Sequence, residues 1–409
     1  MIAGSQKAAL ISRLLLLIGC MIVSISGFLH QIPANHAISS LRGKAKLSSL
    51  ALNNIAAEVG DSIASFIIST PVYGALTNQA KQTMKKSAEA AGVEWDAELE
   101  RLRAIEDWDE RAERVRAAAG GAAAVAAPAY YARPFHTYPR GNTCWDAAFE
   151  QELASKAVGV RNFPAEGARG EDVLRGCFKA EMDRMGVAVP PGGRVVDLGC
   201  GTGTSARKLA EWYPEAAEVV GVDLSAEMLA VGEHYLRGEA PEGRQDRGDP
   251  TANARVRLEY ADMAATRLPD ACADLVTFSL VFHELPKSAV GDCLREARRL
   301  LRPGGALAIM EMDPEAPGYI KLRQNPFLYA VLRSTEPYLE EWFNLAPSIE
   351  ELVMDAGFPV VTKTAATGRH FALVARAPGC ADRRPAAAAR RAMDRHLASP
   401  FLQAPGGGR

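Results

Sequence analysis

Between residues 193 and 313, short apolar runs alternate with segments whose apolar residues recur every three or four positions. The runs predict buried strands, and the segments between them predict helices. The runs lie at residues 195–196, 218–222, 255–260, 275–281 and 306–312. Two further strand patterns, 359–367 and 369–376, flank Gly368 and predict a closing antiparallel hairpin. Because alternating strands and helices are typical of parallel sheets, we expect an α/β fold: a Rossmann-like, mostly parallel, seven-stranded sheet with helices on both faces.

The segments on either side of this pattern differ from it in composition. Residues 46–127 predict a helical N-terminal extension that ends in a linker rich in alanine and glycine. The segment 314–345 is rich in aromatic residues and predicts either a lid over a substrate or a helix packed on the sheet edge. Residues 377–409, rich in Ala, Arg, Pro and Gly, predict a disordered tail. The apolar stripe of the extension needs a partner, which we expect to be the α/β domain; it consists of Trp95, Leu99, Leu102, Ile105, Trp108, Ala112 and Val115.

The first 45 residues have the features of targeting sequences. Lys7 and Arg13 precede an apolar run, 14–25, that is shorter than the roughly twenty residues of a membrane span and suits the core of a signal peptide. From Phe28 the chain is basic, rich in serine and free of acidic residues up to Glu58, as transit peptides are. We therefore expect a signal peptide followed by a transit peptide, similar to the bipartite targeting of algae with complex plastids. Plain secretion and an uncleaved membrane anchor are the alternatives.

Composition excludes some classes of function. The formal net charge of -2 gives no general attraction to nucleic acid. The seven cysteines contain no paired-cysteine motif, which argues against a disulfide framework and a zinc site. We accordingly expect no metal site, no nucleic-acid partner and no membrane span in the mature chain; the oligomeric state is left open.

A glycine-rich turn follows the first predicted strand. That strand ends in Asp197, glycines alternate at Gly199, Gly201 and Gly203, and a helical pattern begins at Thr204. A strand, a glycine-rich turn and a helix form the first unit of nucleotide-binding sheets. Glycine permits positive φ and lets a ligand lie against the backbone. The spacing differs from the dinucleotide fingerprint, which requires a third glycine where this chain has Thr204.

Acidic residues also follow the second and third predicted strands. Asp223, about twenty residues beyond the turn, is placed to accept both hydroxyls of a ribose. Asp262 is placed to accept from an adenine amino group, and Ser225 predicts the N-cap of a helix at 226–236. With their neighbours, these positions make up a predicted cofactor site. Its members are Asp197, Gly199, Cys200, Gly201, Gly203, Asp223, Leu224, Asp262, Met263 and Ser279.

This series of motifs, between residues 190 and 376, resembles the class I S-adenosylmethionine-dependent methyltransferases. It is similar to their small-molecule branch, which includes the ubiquinone and menaquinone methyltransferases. The segments 130–138, 281–286 and 334–339 are similar to uncharacterised plastid methyltransferase-like proteins of plants and algae. The resemblance implies S-adenosylmethionine as cofactor and a methyltransferase domain over residues 128–376.

Methyl transfer from a sulfonium is a displacement at carbon, so the protein chiefly holds the acceptor, the methyl group and the sulfur in line. Some acceptors must also lose a proton. His283 and Glu284, after the fourth strand, are the predicted catalytic residues. Asp313 and Glu336 are weaker polar candidates beneath the predicted lid. His283 is either a general base or a ring that orients its loop by hydrogen bonding.

The resemblance favours methylation of a small molecule, with a plastid lipid or prenylquinone as the expected acceptor. Two alternatives stay open: a protein or RNA methyltransferase, and a cofactor-binding protein without catalysis. The fourth strand lacks the Asn/Asp-Pro-Pro-aromatic pattern of amino-directed nucleic-acid enzymes. The sequence does not identify the acceptor or its reacting atom.

Overall fold

The computed structural model describes residues 71–121, 125–136, 138, 140–238, 249–325, 329, 332–333 and 335–379. The predicted targeting sequences and nearly all of the predicted tail lie outside these residues. Within them, no helix has the length and apolar character needed to span a bilayer.

The strands of the described residues form one sheet. They are β1 (Arg194–Leu198), β2 (Glu218–Asp223), β3 (Val256–Tyr260), β4 (Ala273–Ser279), β5 (Leu301–Met312), β6 (Val360–Ala365) and β7 (His370–Arg376). Their order is β3-β2-β1-β4-β5-β7-β6. The first five pair in parallel, whereas β7 is antiparallel to both β5 and β6. The predicted seven-stranded, mostly parallel sheet is therefore confirmed.

The bounds of β4 and β5 differ from the predicted runs 275–281 and 306–312. β4 ends at Ser279 because Leu280 has a left-handed backbone (φ 57°), and a 3₁₀ turn, Phe282–Glu284, follows it. β5 begins at Leu301, which pairs with Ala273 before the register shifts. The residues 301–305, which precede the predicted strand 306–312, thus belong to an irregular first part of β5.

Helices cover both faces of the sheet. They are α1 (Pro71–Ala90), α2 (Trp95–Arg103), α3 (Trp108–Ala118), α4 (Trp145–Asn162), α5 (Gly170–Arg184), α6 (Thr204–Trp212), α7 (Ala226–Leu236), α8 (Pro250–Asn253), α9 (Lys287–Leu300), α10 (Pro317–Arg323), α11 (Leu339–Leu345) and α12 (Ile349–Asp355). Alternate side chains of a strand point to opposite faces. Val196 and Leu198 accordingly pack with α9, α11 and α12, whereas Val195 and Val219 pack with α5 and α6.

From Pro71 to Ala118 the helical N-terminal extension is confirmed, although turns divide it into α1, α2 and α3; its predicted residues 46–70 lie outside the described ones. Its predicted apolar stripe is buried against α4 and α7, except for Ile105, which is partly buried. The Trp108 indole nitrogen donates to the carbonyl of Leu102 at 2.7 Å, and the Trp108 ring contacts Trp145 and Phe149. The stripe therefore packs on α7 of the α/β domain, as its spacing predicts.

Candidate active site

The glycine-rich turn has the backbone that its sequence predicts. Gly199, Gly201 and Gly203 have φ values of 75°, 55° and 79°, which side-chain-bearing residues rarely adopt. At Gly199 a Cβ atom would also lie 2.7 Å from the side chain of Val281. Glycine at these positions lets the chain turn from β1 into α6 and leaves the backbone open to a ligand.

Asp223 joins the turn to the end of β2. Its Oδ2 accepts from the Gly201 N–H at 2.8 Å, and its Oδ1 accepts from the Ser225 N–H at 2.9 Å. Ser225 in turn caps α7, as predicted, because its Oγ accepts from the Met228 N–H at 3.1 Å. Burial raises the pKa of the Asp223 carboxyl, while these backbone donors oppose the rise. The carboxylate thus lies beside bare backbone, where a ribose would bind.

One large cavity, of about 750 Å³, opens at this turn. Eight of the ten predicted cofactor residues line it: Gly199, Cys200, Gly201, Asp223, Leu224, Asp262, Met263 and Ser279. Aromatic residues from the segments before α4 and after β5 line it as well, namely Tyr130, Tyr131, Phe135, Tyr138, Tyr319 and Tyr338. The cavity therefore joins most of the predicted cofactor site to a pocket lined by aromatic side chains.

Asp197 and Gly203 are not among the residues that line this cavity. The Asp197 carboxylate is buried behind the turn, where it accepts from the Thr277 hydroxyl at 2.7 Å and from the Ser205 hydroxyl at 2.5 Å. Asp197 thereby ties β1 to β4 and α6. Its place in the structure suits the positioning of the turn rather than direct contact with a cofactor.

His283 and Glu284 both line the cavity. The His283 Nδ1 lies 2.8 Å from Glu311 Oε1, and the Phe282 N–H donates to Glu311 Oε2 at 2.7 Å. Burial by itself would lower the pKa of His283, but the carboxylates of Glu311, Glu336 and Glu284 together outweigh it and raise that pKa to about 10. If the His283 ring orients its loop by hydrogen bonding, it needs a bond such as this one to Glu311. The general-base role stays a prediction.

Glu284 lies beside His283 in the wall of the cavity. Burial raises the pKa of its carboxyl to about 7, although the nearby histidines oppose the rise. Its Oε2 accepts from the Asn142 side-chain amide at 2.9 Å. The catalytic role predicted for Glu284 is therefore compatible with its location, and it stays a prediction as well.

The motifs in the sequence did not identify Glu311 and His136 of this region, and Glu336 was only a weaker polar candidate in the predicted lid segment. Glu311 is an acidic residue inside the apolar run of β5, which is the one local signal that marked it. His136 and Glu336 come from the segments before α4 and before α11, and His136 Nε2 lies 2.7 Å from Glu336 Oε1. The backbone also joins these segments, since the His136 N–H donates to the carbonyl of Thr335 at 2.9 Å.

Two arginines give another part of the cavity wall a positive charge. Arg161 and Arg369 both line the cavity, and neither has a carboxylate partner among the described residues. The Arg369 guanidinium also lies over the Tyr319 ring, 5.9 Å from its centre. This part of the wall is suited to an acidic group on a ligand.

Comparison with known proteins agrees with this geometry. The profile of a family described as "Methyltransferase domain" matches residues 195–305. An arsenite methyltransferase from Aquipseudomonas alcaligenes is 32% identical over 39% of this chain and 44% of its own length, so the chain spans less than half of that relative. A demethylmenaquinone methyltransferase from Beutenbergia cavernae is 32% identical over 48% of this chain and 77% of its own length.

Among solved structures, the phosphoethanolamine N-methyltransferase 2 of Haemonchus contortus, determined with S-adenosylmethionine, matches at a TM-score of 0.39 and 17% identity. The match covers 59% of this chain and 61% of that one. The fold assignment rests on the strand order of the sheet itself. The sheet, the glycine turn and the acid after β2 define a nucleoside-cofactor-binding α/β protein of the methyltransferase class. This chain belongs to the S-adenosylmethionine-dependent methyltransferase family, and S-adenosylmethionine is its cofactor.

The residues of the described turn fit this cofactor, because Gly199 and Gly201 leave open backbone beside the Asp223 carboxylate. Replacing Asp223 by alanine should weaken S-adenosylmethionine binding about ten- to a hundredfold, since a charge-assisted acceptor contributes about 1.5–3 kcal/mol. Isothermal titration calorimetry on the full chain measures the change. Asp270→Ala is the matched control, because Asp270 is exposed and pairs with Arg299 away from the cavity. Unchanged affinity in Asp223→Ala would contradict the assignment.

Proposed function

We propose that this protein transfers the methyl group of S-adenosylmethionine to a small, ring-shaped acceptor of the prenylquinone kind. The observation that supports the proposal is the single cavity in which the glycine turn and an aromatic pocket adjoin. Aromatic walls favour a flat apolar ring through burial and offset stacking. The demethylmenaquinone methyltransferase of Beutenbergia cavernae, by its name, acts on a quinone of this kind.

In this reaction the acceptor atom forms a bond to the methyl carbon while the bond from that carbon to sulfur breaks. S-adenosylhomocysteine is the product, and an acceptor that began with a proton on the reacting atom releases it. The family's cofactor supplies the reactive methyl group, so the protein contributes mainly alignment. Glu284, whose carboxyl has a pKa of about 7, is placed at the acceptor end to receive such a proton, whereas the raised pKa of His283 keeps its ring protonated near neutral pH.

A second class of acceptor, a small molecule with a carboxylate or phosphate, is favoured by the arginines of the cavity wall. Arg161 and Arg369 have no carboxylate partner among the described residues, so they are available to pair with an anionic group. Arginine suits this role because its planar fork matches a carboxylate in two hydrogen bonds. This candidate keeps the same chemistry and changes only the part of the acceptor that is recognised.

An assay with methyl-labelled S-adenosylmethionine on the full chain separates these acceptors. The panel contains reduced demethylated prenylquinones, hydroxylated aromatic acids, and a plastid extract that includes its proteins and RNA. We expect label in the prenylquinone fraction, and Asp223→Ala should reduce that label. Label confined to the acids favours the second candidate, and label in protein or RNA contradicts a small-molecule acceptor. Cofactor binding without any transfer would indicate a protein that binds S-adenosylmethionine but does not catalyse.

Arg369→Ala provides a test within the site. For an acidic acceptor, the loss of one charge-assisted pair should raise KM about tenfold, because such a pair contributes about 1.5 kcal/mol. For a neutral prenylquinol, KM should not change. Lys321→Ala is the control, since Lys321 is exposed on the neighbouring helix α10 and does not line the cavity. Equal changes of KM for both acceptors would contradict recognition of an acidic group by Arg369.

We also propose that the protein acts in a plastid. Residues 1–45 support this, because an apolar run is followed by basic, serine-rich sequence without acidic residues. A fluorescent protein fused behind residues 1–58 should reach the plastid of an alga with a complex plastid. Replacing Arg42, Lys44 and Lys46 by glutamate should abolish that import. Export of the unmodified fusion, or its retention in the secretory membranes, would contradict the proposal.

A further inference from the structure

Three side chains with metal-ligating atoms meet at the acceptor end of the cavity. They are His136, His283 and Glu336, and one ligand atom from each lies within 4.8 Å of the others. They come from separate parts of the chain: the segment before α4, the 3₁₀ turn after β4 and the segment before α11. We propose that these three residues bind a divalent transition-metal ion.

The donor set indicates which ion it is. Two imidazole nitrogens and one carboxylate oxygen suit Zn²⁺ and the neighbouring first-row ions, which accept mixed nitrogen and oxygen ligands. Magnesium prefers oxygen ligands in octahedral geometry and is a poor match. Three protein ligands also leave at least one coordination position for water or an oxygen of a bound molecule, as in catalytic zinc sites.

The surroundings of His283 support the proposal independently. A metal-bound histidine nearly always donates its other ring N–H to a carboxylate or carbonyl, which fixes the ring. Glu311 provides such a carboxylate at 2.8 Å from His283 Nδ1, and this leaves Nε2 as the ligand nitrogen. Glu311 is itself buried and held in place by the backbone N–H of Phe282. The ring is therefore oriented before any ion binds.

Glu336 supplies a second, separate observation. Its side chain is 9% exposed. One carboxylate oxygen, Oε1, pairs with His136, whereas the buried Oε2 has no hydrogen-bond partner in the described structure. A buried oxygen without a partner is unfavourable, and more so in a charged group. A cation between His136, His283 and Glu336 would satisfy this oxygen.

The charge of the region also favours a cation. Three carboxylates lie around His283: Glu284 on the same 3₁₀ turn, Glu311 on β5 and Glu336 before α11. Glu311 is 1% exposed and Glu336 is 8% exposed, so water screens their charges little. A divalent ion bound to two neutral imidazoles would offset this negative charge in place of the ring protons.

The role of this ion in methyl transfer rests on the proposed function. An acceptor hydroxyl bound at the open position would lose its proton more easily, because a metal ion stabilises the resulting oxyanion. The same bond would fix the acceptor at the end of the cavity where His283 and Glu284 lie. The site would thereby select acceptors with an oxygen at or beside the reacting atom.

Zinc titration of the chelator-treated full chain tests the site without any methyl acceptor. Calorimetry should show one Zn²⁺ per chain, and excess Mg²⁺ should not displace it. His136→Ala and Glu336→Gln should each weaken zinc binding at least a hundredfold. Glu311→Gln, which removes only the carboxylate behind His283, should weaken it about 10- to 100-fold. His370→Gln is the matched control, because His370 lines the same cavity outside the cluster, and it should keep the wild-type affinity.

X-ray absorption at the zinc edge of the wild-type protein tests the ligands without a substitution that alters folding. It should show imidazole scattering at about 2.0–2.1 Å. Sulfur ligands at about 2.3 Å, or equal affinity in His136→Ala and wild type, would overturn the proposal.

S-adenosylmethionine affinity, measured on the same samples, should be unchanged in all four variants. Zinc binding without transfer to any acceptor contradicts the proposed function alone, and transfer by a protein that binds no zinc contradicts the metal site alone.

Discussion

Replacing Glu152 by alanine is expected to lower the free energy of unfolding by about 3–5 kcal/mol, because it leaves a buried charge without its partner. Arg207 Nη2 donates to Glu152 Oε1 at 2.6 Å, and both side chains are 7% exposed. Thr202, in the glycine-rich turn, donates to the same oxygen at 3.1 Å, and its carbonyl accepts from Arg207 Nη1 at 3.1 Å. The pair therefore joins α4 and α6 to the glycine-rich turn of the predicted cofactor site.

Urea unfolding followed by circular dichroism measures this effect. Glu166→Ala is the matched control, because it breaks an exposed pair with Arg169 that is worth about 0–1 kcal/mol. The double replacement Glu152→Leu with Arg207→Met should recover most of the loss, since it removes both charges and keeps the volume. If Glu152→Ala lowers the free energy of unfolding by less than about 1 kcal/mol, the charge of Arg207 is compensated in that variant and the prediction is wrong.

The second large effect is expected at Gly159, where α4 and α5 cross. A Cβ atom on Gly159 would lie 2.5 Å from Glu171 Cα and 2.6 Å from the carbonyl carbon of Gly170. These are backbone atoms, so no side-chain rotation relieves the overlap, and the two helices must move apart. Gly159→Ala should therefore destabilise the protein by about 3 kcal/mol, toward the upper end for overpacking.

Replacing Gly176 by alanine, in the same pair of helices, should increase the stability of the protein instead. Gly176 lies in α5, is exposed, and would have no atom within 4 Å of an added Cβ. Alanine favours the helix there by about 0.5–1 kcal/mol. Thermal unfolding should thus show opposite shifts of Tm for the two variants. A Gly159→Ala protein as stable as wild type would contradict the close helix crossing.

Local patterns predicted the elements of the fold and the turn of the site. Alternation of apolar strands with helices predicted the sheet, and Gly199, Gly201 and Gly203 predicted the positive-φ turn that the structure shows. These predictions succeed because each depends on residues adjacent in the chain. Strand ends were less accurate: no sequence signal marks the left-handed backbone of Leu280, which ends β4.

The acceptor end of the cavity was only partly predictable. His283 and Glu284 were identified because they follow a strand at the carboxyl edge of the sheet. The partner of His283, Glu311, lies on a different strand, and no spacing rule relates the two. His136 and Glu336 meet because the segment before α4 hydrogen-bonds to the segment before α11. Because the sequence lacks paired cysteines, it gave no reason to expect metal-ligating side chains at this end of the cavity.

The sequence by itself determined the sheet, the glycine turn with Asp223, and hence the class of cofactor. The tertiary structure alone decided that Asp197 supports the turn from behind and that Glu311 orients His283. It also decided that His136, His283 and Glu336 face one another. The physical reason is the distance along the chain over which each feature is set. Backbone conformation and amphipathic patterns depend on neighbouring residues, whereas contacts between distant segments depend on how strands and helices pack.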